Sequence, residues 1–144
     1  MNELIEEYLR ARGVRYFRGH HDDEYFHLVH TRTVRLHVHL EVCGDDRDGV
    51  LVSITGDRYY PAGQRDQLQQ AISRWNAECH DIGAVVQESS DPHLVGVAAG
   101  SRYHGVDAAQ FGTFVDGAIA AAAELFARLG DLAPAAPQAL RDAG

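Results

Sequence analysis

A chain of 144 residues that is 45% hydrophobic and 24% charged can bury one core, and it lies far from the composition of disordered proteins. Its formal net charge of −8, with all thirteen basic residues arginine and no continuous arginine stripe, opposes phosphate backbones and argues against a nucleic-acid partner. No run approaches the roughly 18 apolar residues of a membrane span, the acidic start Met1–Glu7 lacks the signature of a signal peptide, and two cysteines, Cys43 and Cys79, fit neither a zinc knuckle nor a disulfide framework. A cytoplasmic protein with reduced thiols is the expectation.

Leu4, Ile5, Tyr8 and Leu9 recur at helical spacing after Asn2, a possible N-cap, and Gly13 follows a basic last turn, so a short amphipathic helix is expected first. Val14–Phe17 reads as a brief strand, His20–Asp23 as a polar turn, and Glu24–Thr31 as its hairpin partner. Between Thr33 and Val42, the residues Val34, Leu36, Val38, Leu40 and Val42 alternate with Thr33, Arg35, His37, His39 and Glu41, the period of a half-buried strand. The turn Gly44–Gly49 ends in Asp-Gly and leads into Val50–Ile54. An antiparallel hairpin then pairs Val42 with Val50, Leu40 with Val52 and Val38 with Ile54.

Pro61 and Gly63 punctuate the chain before a helix over Arg65–His80 with the stripe Leu68, Ile72, Trp75 and Cys79. Gly83–Glu88 and His93–Gly100, split by Ser89-Ser90-Asp91-Pro92, read as another hairpin. Asp107 and Gln110 form a variant capping box ahead of a long helix, whose stripe runs from Phe111 to Leu129 and which Gly130 closes. Gly112 and Gly117 inside that helix point to close packing. The residues after Gly130 carry Pro134, Pro137 and many alanines without a second stripe, so a frayed tail over 131–144 is expected beyond one domain at 1–130. The order α-β(3–4)-α-β-β-α, with short hairpins between strands, predicts an α+β fold: an antiparallel sheet with flanking helices.

That order over residues 2–130, the Trp75-Asn76 pair late in the second helix, and Gly105–Phe111 leading into a helix that ends Leu125-Phe126-Ala127-Arg128-Leu129 resemble the YbjN family. These are small bacterial domains with the fold of class I type III secretion chaperones, and the endings quoted are similar to those of actinobacterial members. The resemblance implies a non-enzymatic domain, often a homodimer, that grips partner proteins through sheet and helix surfaces; some relatives are labelled sensory transduction regulators. It brings no catalytic residue and no cofactor. The chain departs from the actinobacterial pattern at Glu78–Ile82, which lacks a basic-aromatic run.

Several side-chain groupings invite chemistry. His37 and His39 share a strand face, with His27 expected nearby and Glu41 as a possible oxygen ligand, so a metal-binding sensor or small metalloenzyme is the alternative reading. The ordinary reading, the polar outer face of a half-buried sheet, is preferred, with a pH-sensitive interface as a third. His20–Asp23 reads as a solvated turn. Asp45, Asp46 and Asp48 lack the remaining positions of a calcium loop. Ser101 and His104 lack a nucleophile elbow. No glycine pattern matches a phosphate-binding loop. The expectation is therefore a protein-binding, chaperone-like or regulatory domain, with Tyr59, Tyr60, Arg74 and Trp75 as partner contacts.

Overall fold

The computed structural model describes residues 1–78 and 80–132, with side chains through Gly130. Cys79, placed by its spacing on the second helix stripe, and the tail expected after the last helix lie outside the described side chains. The elements are α1 (Asn2–Arg12), β1 (Tyr16–Arg18), β2 (Glu24–His30), β3 (Arg35–Cys43), β4 (Gly49–Gly56), β5 (Tyr60–Pro61), a 3₁₀ turn (Ala62–Gln64), α2 (Arg65–Ala77), β6 (Gly83–Glu88), β7 (Leu94–His104) and α3 (Ala108–Leu132). This is the α+β arrangement read from the sequence, with an antiparallel sheet of seven strands.

Every strand pair is antiparallel, and the path runs β1-β2-β3-β4-β7 with β6 beyond β7. The short β5 lies on the β4 side, because Val95 faces Tyr60 on one flank and Glu88 on the other. β1 and β6 are thus the two sheet edges. The central hairpin has the expected register, Val42 opposite Val50, Leu40 opposite Val52 and Val38 opposite Ile54. β7 runs to His104, four residues past the predicted end, because residues through His104 pair with β4.

The three helices cover one face of this sheet. Leu36, Val38, Leu40 and Val42 of β3, Val50, Val52 and Ile54 of β4, and Val95, Val97 and Ala99 of β7 share one buried cluster with Ile5 and Leu9 of α1, Leu68, Ile72 and Trp75 of α2, and the Phe111–Leu129 stripe of α3. Removing this apolar area from water is the dominant favourable term in folding. α1 and α3 are also tied by a polar clamp, in which the Tyr8 hydroxyl donates to Asp116 (2.7 Å) and the Arg12 guanidinium donates to the same carboxylate (2.6 Å).

The helix ends repay comparison with the sequence. Gly13 caps α1 in the left-handed conformation at φ 65°, as its position predicts. Asn2 is not the N-cap; Met1 is, and the Asn2 amide instead donates to the Asp22 carbonyl (3.0 Å) and the Tyr25 hydroxyl (3.2 Å). The Asp107 carboxylate accepts from the Gln110 N–H (2.9 Å), so half of the capping box forms. α2 ends at Ala77, three residues short of the expected His80, and α3 passes through Gly130 to Leu132. A Cβ on Gly112 would sit 3.0 Å from the Arg12 guanidinium, so the close packing expected there holds, whereas Gly117 faces open space.

The Trp75-Asn76 pair divides two structural tasks. Trp75 anchors α2 in the core, while the Asn76 side chain donates to the Ala84 carbonyl (3.0 Å) and accepts from the Ala84 N–H (2.9 Å). Edge strands expose unpaired backbone groups that recruit other chains. Asn76 closes one such pair on β6 and fixes α2 against the sheet.

Candidate functional site

Among the described residues, the helices lie on one side and no layer covers the other side of the sheet. Cross-strand register fixes what that outer face carries, since residues directly opposite in an antiparallel pair point the same way. One row reads Phe17, Phe26, His39, Ser53, Gly100 and Gly83; the next reads Leu28, His37, Thr55, Ala98 and Val85; a third begins Glu24, Glu41, Leu51 and Arg102.

Phe17 is 61% exposed, and Phe26 and Leu28 are 39% exposed each, making an apolar strip at the β1–β2 end. Val85 and Tyr59 are the exposed large apolar residues at the opposite end, Tyr59 lying over Gly96 of β7. Among the described residues, five of the six exposed large hydrophobic side chains, Val106 being the exception, therefore fall on this one face. Contiguous exposed apolar surface of this kind marks interaction sites more often than scattered single residues do. A shallow depression of about 260 Å³ lies among Phe17, Phe26, Leu28 and His37.

The four partner contacts named from sequence do not gather on one surface. Tyr59 is exposed on the outer face. Its neighbour Tyr60 is turned inward by the strand alternation, 1% exposed, and its hydroxyl has no hydrogen-bond partner among the described residues. Trp75 is likewise 1% exposed; its indole stacks on His80 with ring centres 3.5 Å apart, and the Arg128 guanidinium lies 5.1 Å from its ring centre. Arg74 is exposed on α2 beside a groove of about 180 Å³ lined by Ala71, Trp75, Glu78, Leu125 and Arg128. Arg128 bridges that groove, donating to both Glu78 oxygens (3.0 Å) and to Glu124 (2.7 Å). The hydrogen bond with His80 (2.9 Å), followed by those from Arg128, holds the Glu78 carboxyl below its usual range.

The histidines divide between the two faces. His37 and His39 share the outer face as predicted, but His27 does not join them: it sits opposite Val38 with its side chain in the core, 3% exposed. His37 is engaged by Asp57, which also pairs with Arg35 (3.1 Å). His39 lies instead between Glu24 and Glu41, and the three offer ligand atoms within 4.8 Å of one another. Its ring stacks on Phe26 at 4.5 Å and 10°. Glu24 was not singled out by sequence; only the β2–β3 register brings it beside His39. Ser101 and His104 stand three apart on one strand and so project to opposite faces, which excludes their acting as a nucleophile and its base.

Burial holds the His27 pKa below the ordinary imidazole value, and its Nδ1 has no partner among the described residues. The unfolded chain takes up this proton near pH 6.5, while the folded chain resists until a lower pH. Stability from this group is therefore complete above about pH 6.5 and falls as pH drops below it, by at most about 1.4 kcal/mol per unit. Urea unfolding of wild type and His27→Leu at pH 7.5 and 5.5 checks this; the variant should lose less stability on acidification.

The molecule is thus an open-faced α+β domain, with helices on one side of an antiparallel sheet and an apolar strip on the other. The chain belongs to the YbjN family: the family model, described as "Putative bacterial sensory transduction regulator", matches residues 2–131. Among solved structures it is similar to YbjN from E. coli, described as "a putative transcription regulator", with TM-score 0.66 and 15% identity over 85% of this chain and 86% of that one. It is also similar to an uncharacterized protein from Methanothermobacter thermautotrophicus, with TM-score 0.57 and 10% identity over 90% of this chain and 96% of the other. At these identities the likeness concerns the fold. No curated protein matches. No helix among the described residues is long and apolar enough to cross a membrane.

Proposed function

We propose that this domain is a non-enzymatic regulatory module that captures a partner protein on the outer sheet face, in the chaperone-like manner implied by the resemblance to class I secretion chaperones. The supporting observation is the strip Phe17, Phe26 and Leu28, left in solvent on a face that no helix covers among the described residues. A sheet face with an apolar stripe is stabilised by packing against another element, and here that element comes from the partner, as a segment presenting aliphatic or aromatic side chains. The outer edge of β1, which pairs with no strand among the described residues, lies beside the strip and offers backbone hydrogen bonds to an extended segment. Tyr59 and Arg74 are secondary contacts, one on the same face and one on α2. A cytoplasmic location and assembly as a homodimer belong to the same proposal.

The test compares capture by immobilised wild type with capture by the triple variant Phe17→Ser, Phe26→Ser, Leu28→Ser, using lysate of the native organism and mass spectrometry. All three side chains are at least partly solvated, so the variant should keep its circular dichroism. Loss of central apolar contacts should lower recovery of the specific partner about tenfold or more. Equal recovery by wild type and the triple variant, with loss on Arg74→Glu instead, would move the site to α2.

A further inference from the structure

We propose that Glu24, His39 and Glu41 form a divalent-metal site on the outer sheet face, with Zn²⁺ the ion that suits the donors best. The observation is the gathering of one imidazole and two carboxylates, contributed by adjacent strands, with ligand atoms within 4.8 Å of one another. Imidazole nitrogen and carboxylate oxygen are both donors that zinc takes, at about 2.0–2.2 Å, in sites of four ligands.

Three features of the cluster point to an ion rather than to ordinary pairing. Glu24 and Glu41 stand directly opposite across β2 and β3, an arrangement in which like charges repel; a cation between them turns that repulsion into attraction. His39 Nε2 is shielded from water and has no hydrogen-bond partner among the described residues, although Glu24 Oε2 lies 3.3 Å away. Charge-assisted hydrogen bonds are shorter and aligned, whereas two ligands bound at about 2.0–2.1 Å to a tetrahedral ion stand about 3.3 Å apart. The ring is also held in plane by Phe26, so its donor atom is oriented before any ion arrives.

His21 supplies a fourth donor at the rim. Its Nε2 lies 3.7 Å from Glu24 Oε1, and its side chain is 75% exposed. His37 is excluded from the set by Asp57. The ion would join β2 to β3 next to Phe26, within the apolar strip, so metal occupancy and partner capture would share one surface. The two proposals remain separable, since the metal measurement needs no partner.

The full chain, prepared without a histidine tag and stripped with EDTA, is titrated with Zn²⁺ in competition with a chromophoric chelator. Wild type should bind one equivalent. His39→Gln should weaken binding by more than the roughly 10–100-fold typical of losing a ligand's supporting partner, and Glu24→Gln and Glu41→Gln should do so independently should His39→Gln misfold. His37→Gln should leave the affinity unchanged. Co²⁺ should give visible d–d bands in wild type that vanish in His39→Gln. Absence of saturable Zn²⁺ binding by wild type, equal affinity in His39→Gln, or an equal loss in His37→Gln would overturn the assignment.

Discussion

Trp75→Ala is expected to cost about 3–5 kcal/mol of stability, the range for removing a large buried aromatic side chain. The indole is 1% exposed and belongs to the same buried cluster as Leu68, Ile72, Leu125 and Leu129. Truncation would open a void between α2 and α3, because the backbone of α2 is fixed by the Asn76 bonds to Ala84 and cannot follow the missing ring inward. It would also remove the ring on which His80 stacks and the face over which Arg128 lies. For a chain of this size the melting temperature should fall by roughly 10 °C or more. Thermal unfolding followed by circular dichroism checks this, and a fall of less than about 2 °C would place Trp75 at the surface. The sequence placed Trp75 on the apolar stripe of α2 and also named it a partner contact; a contact role alone would give an alanine variant that folds normally and binds poorly.

A second large effect concerns a glycine that the sequence left unexplained. Gly100 lies in β7 opposite Ser53 on one side and Gly83 on the other. A Cβ built there would lie 2.8 Å from the Val52 carbonyl oxygen, a backbone atom of the neighbouring strand that cannot rotate away. Gly100→Ala should therefore push β4 and β7 apart and destabilise by about 2–3 kcal/mol, the upper part of the overpacking range. Gly117→Ala should have the opposite sign. Nothing lies within 4 Å of a Cβ at Gly117, so the gain in helix propensity of about 1 kcal/mol is uncompensated. Urea denaturation of the two variants measures both, and the same sign in each would contradict the contact geometry.

The fold was legible wherever periodicity had a phase. β3 alternates apolar and polar residues over its whole length, so its core face and its register with β4 could be read directly. The helical stripes of α2 and α3 were equally readable. β2 was not, because Tyr25, Phe26, Leu28 and Val29 place apolar residues on both faces and His27 sits among them. Only pairing with β3, Tyr25 opposite Leu40 and His27 opposite Val38, decides that Tyr25 and His27 point inward while Phe26 and Leu28 point out.

That single ambiguity accounts for most of what the sequence missed. It assigned His27 to the wrong face, left the exposure of Phe17, Phe26 and Leu28 unread, and hid the approach of Glu24 to His39, all of which follow from cross-strand register. Tyr59 and Tyr60 show the same difficulty on a smaller scale. Adjacent residues entering a strand face opposite ways, and which one is buried is decided by the pairing of Tyr60 with Val95 across β5 and β7.

In the proposed function the outer sheet face is the surface that meets a partner. Hydrogen exchange of the domain with and without its captured partner measures this directly. Exchange should slow over β1 (Tyr16–Arg18) and β2 (Glu24–His30) in the complex, with α2 unchanged. Protection confined to α2 (Arg65–Ala77), with β1 and β2 exchanging as in the free protein, would contradict it.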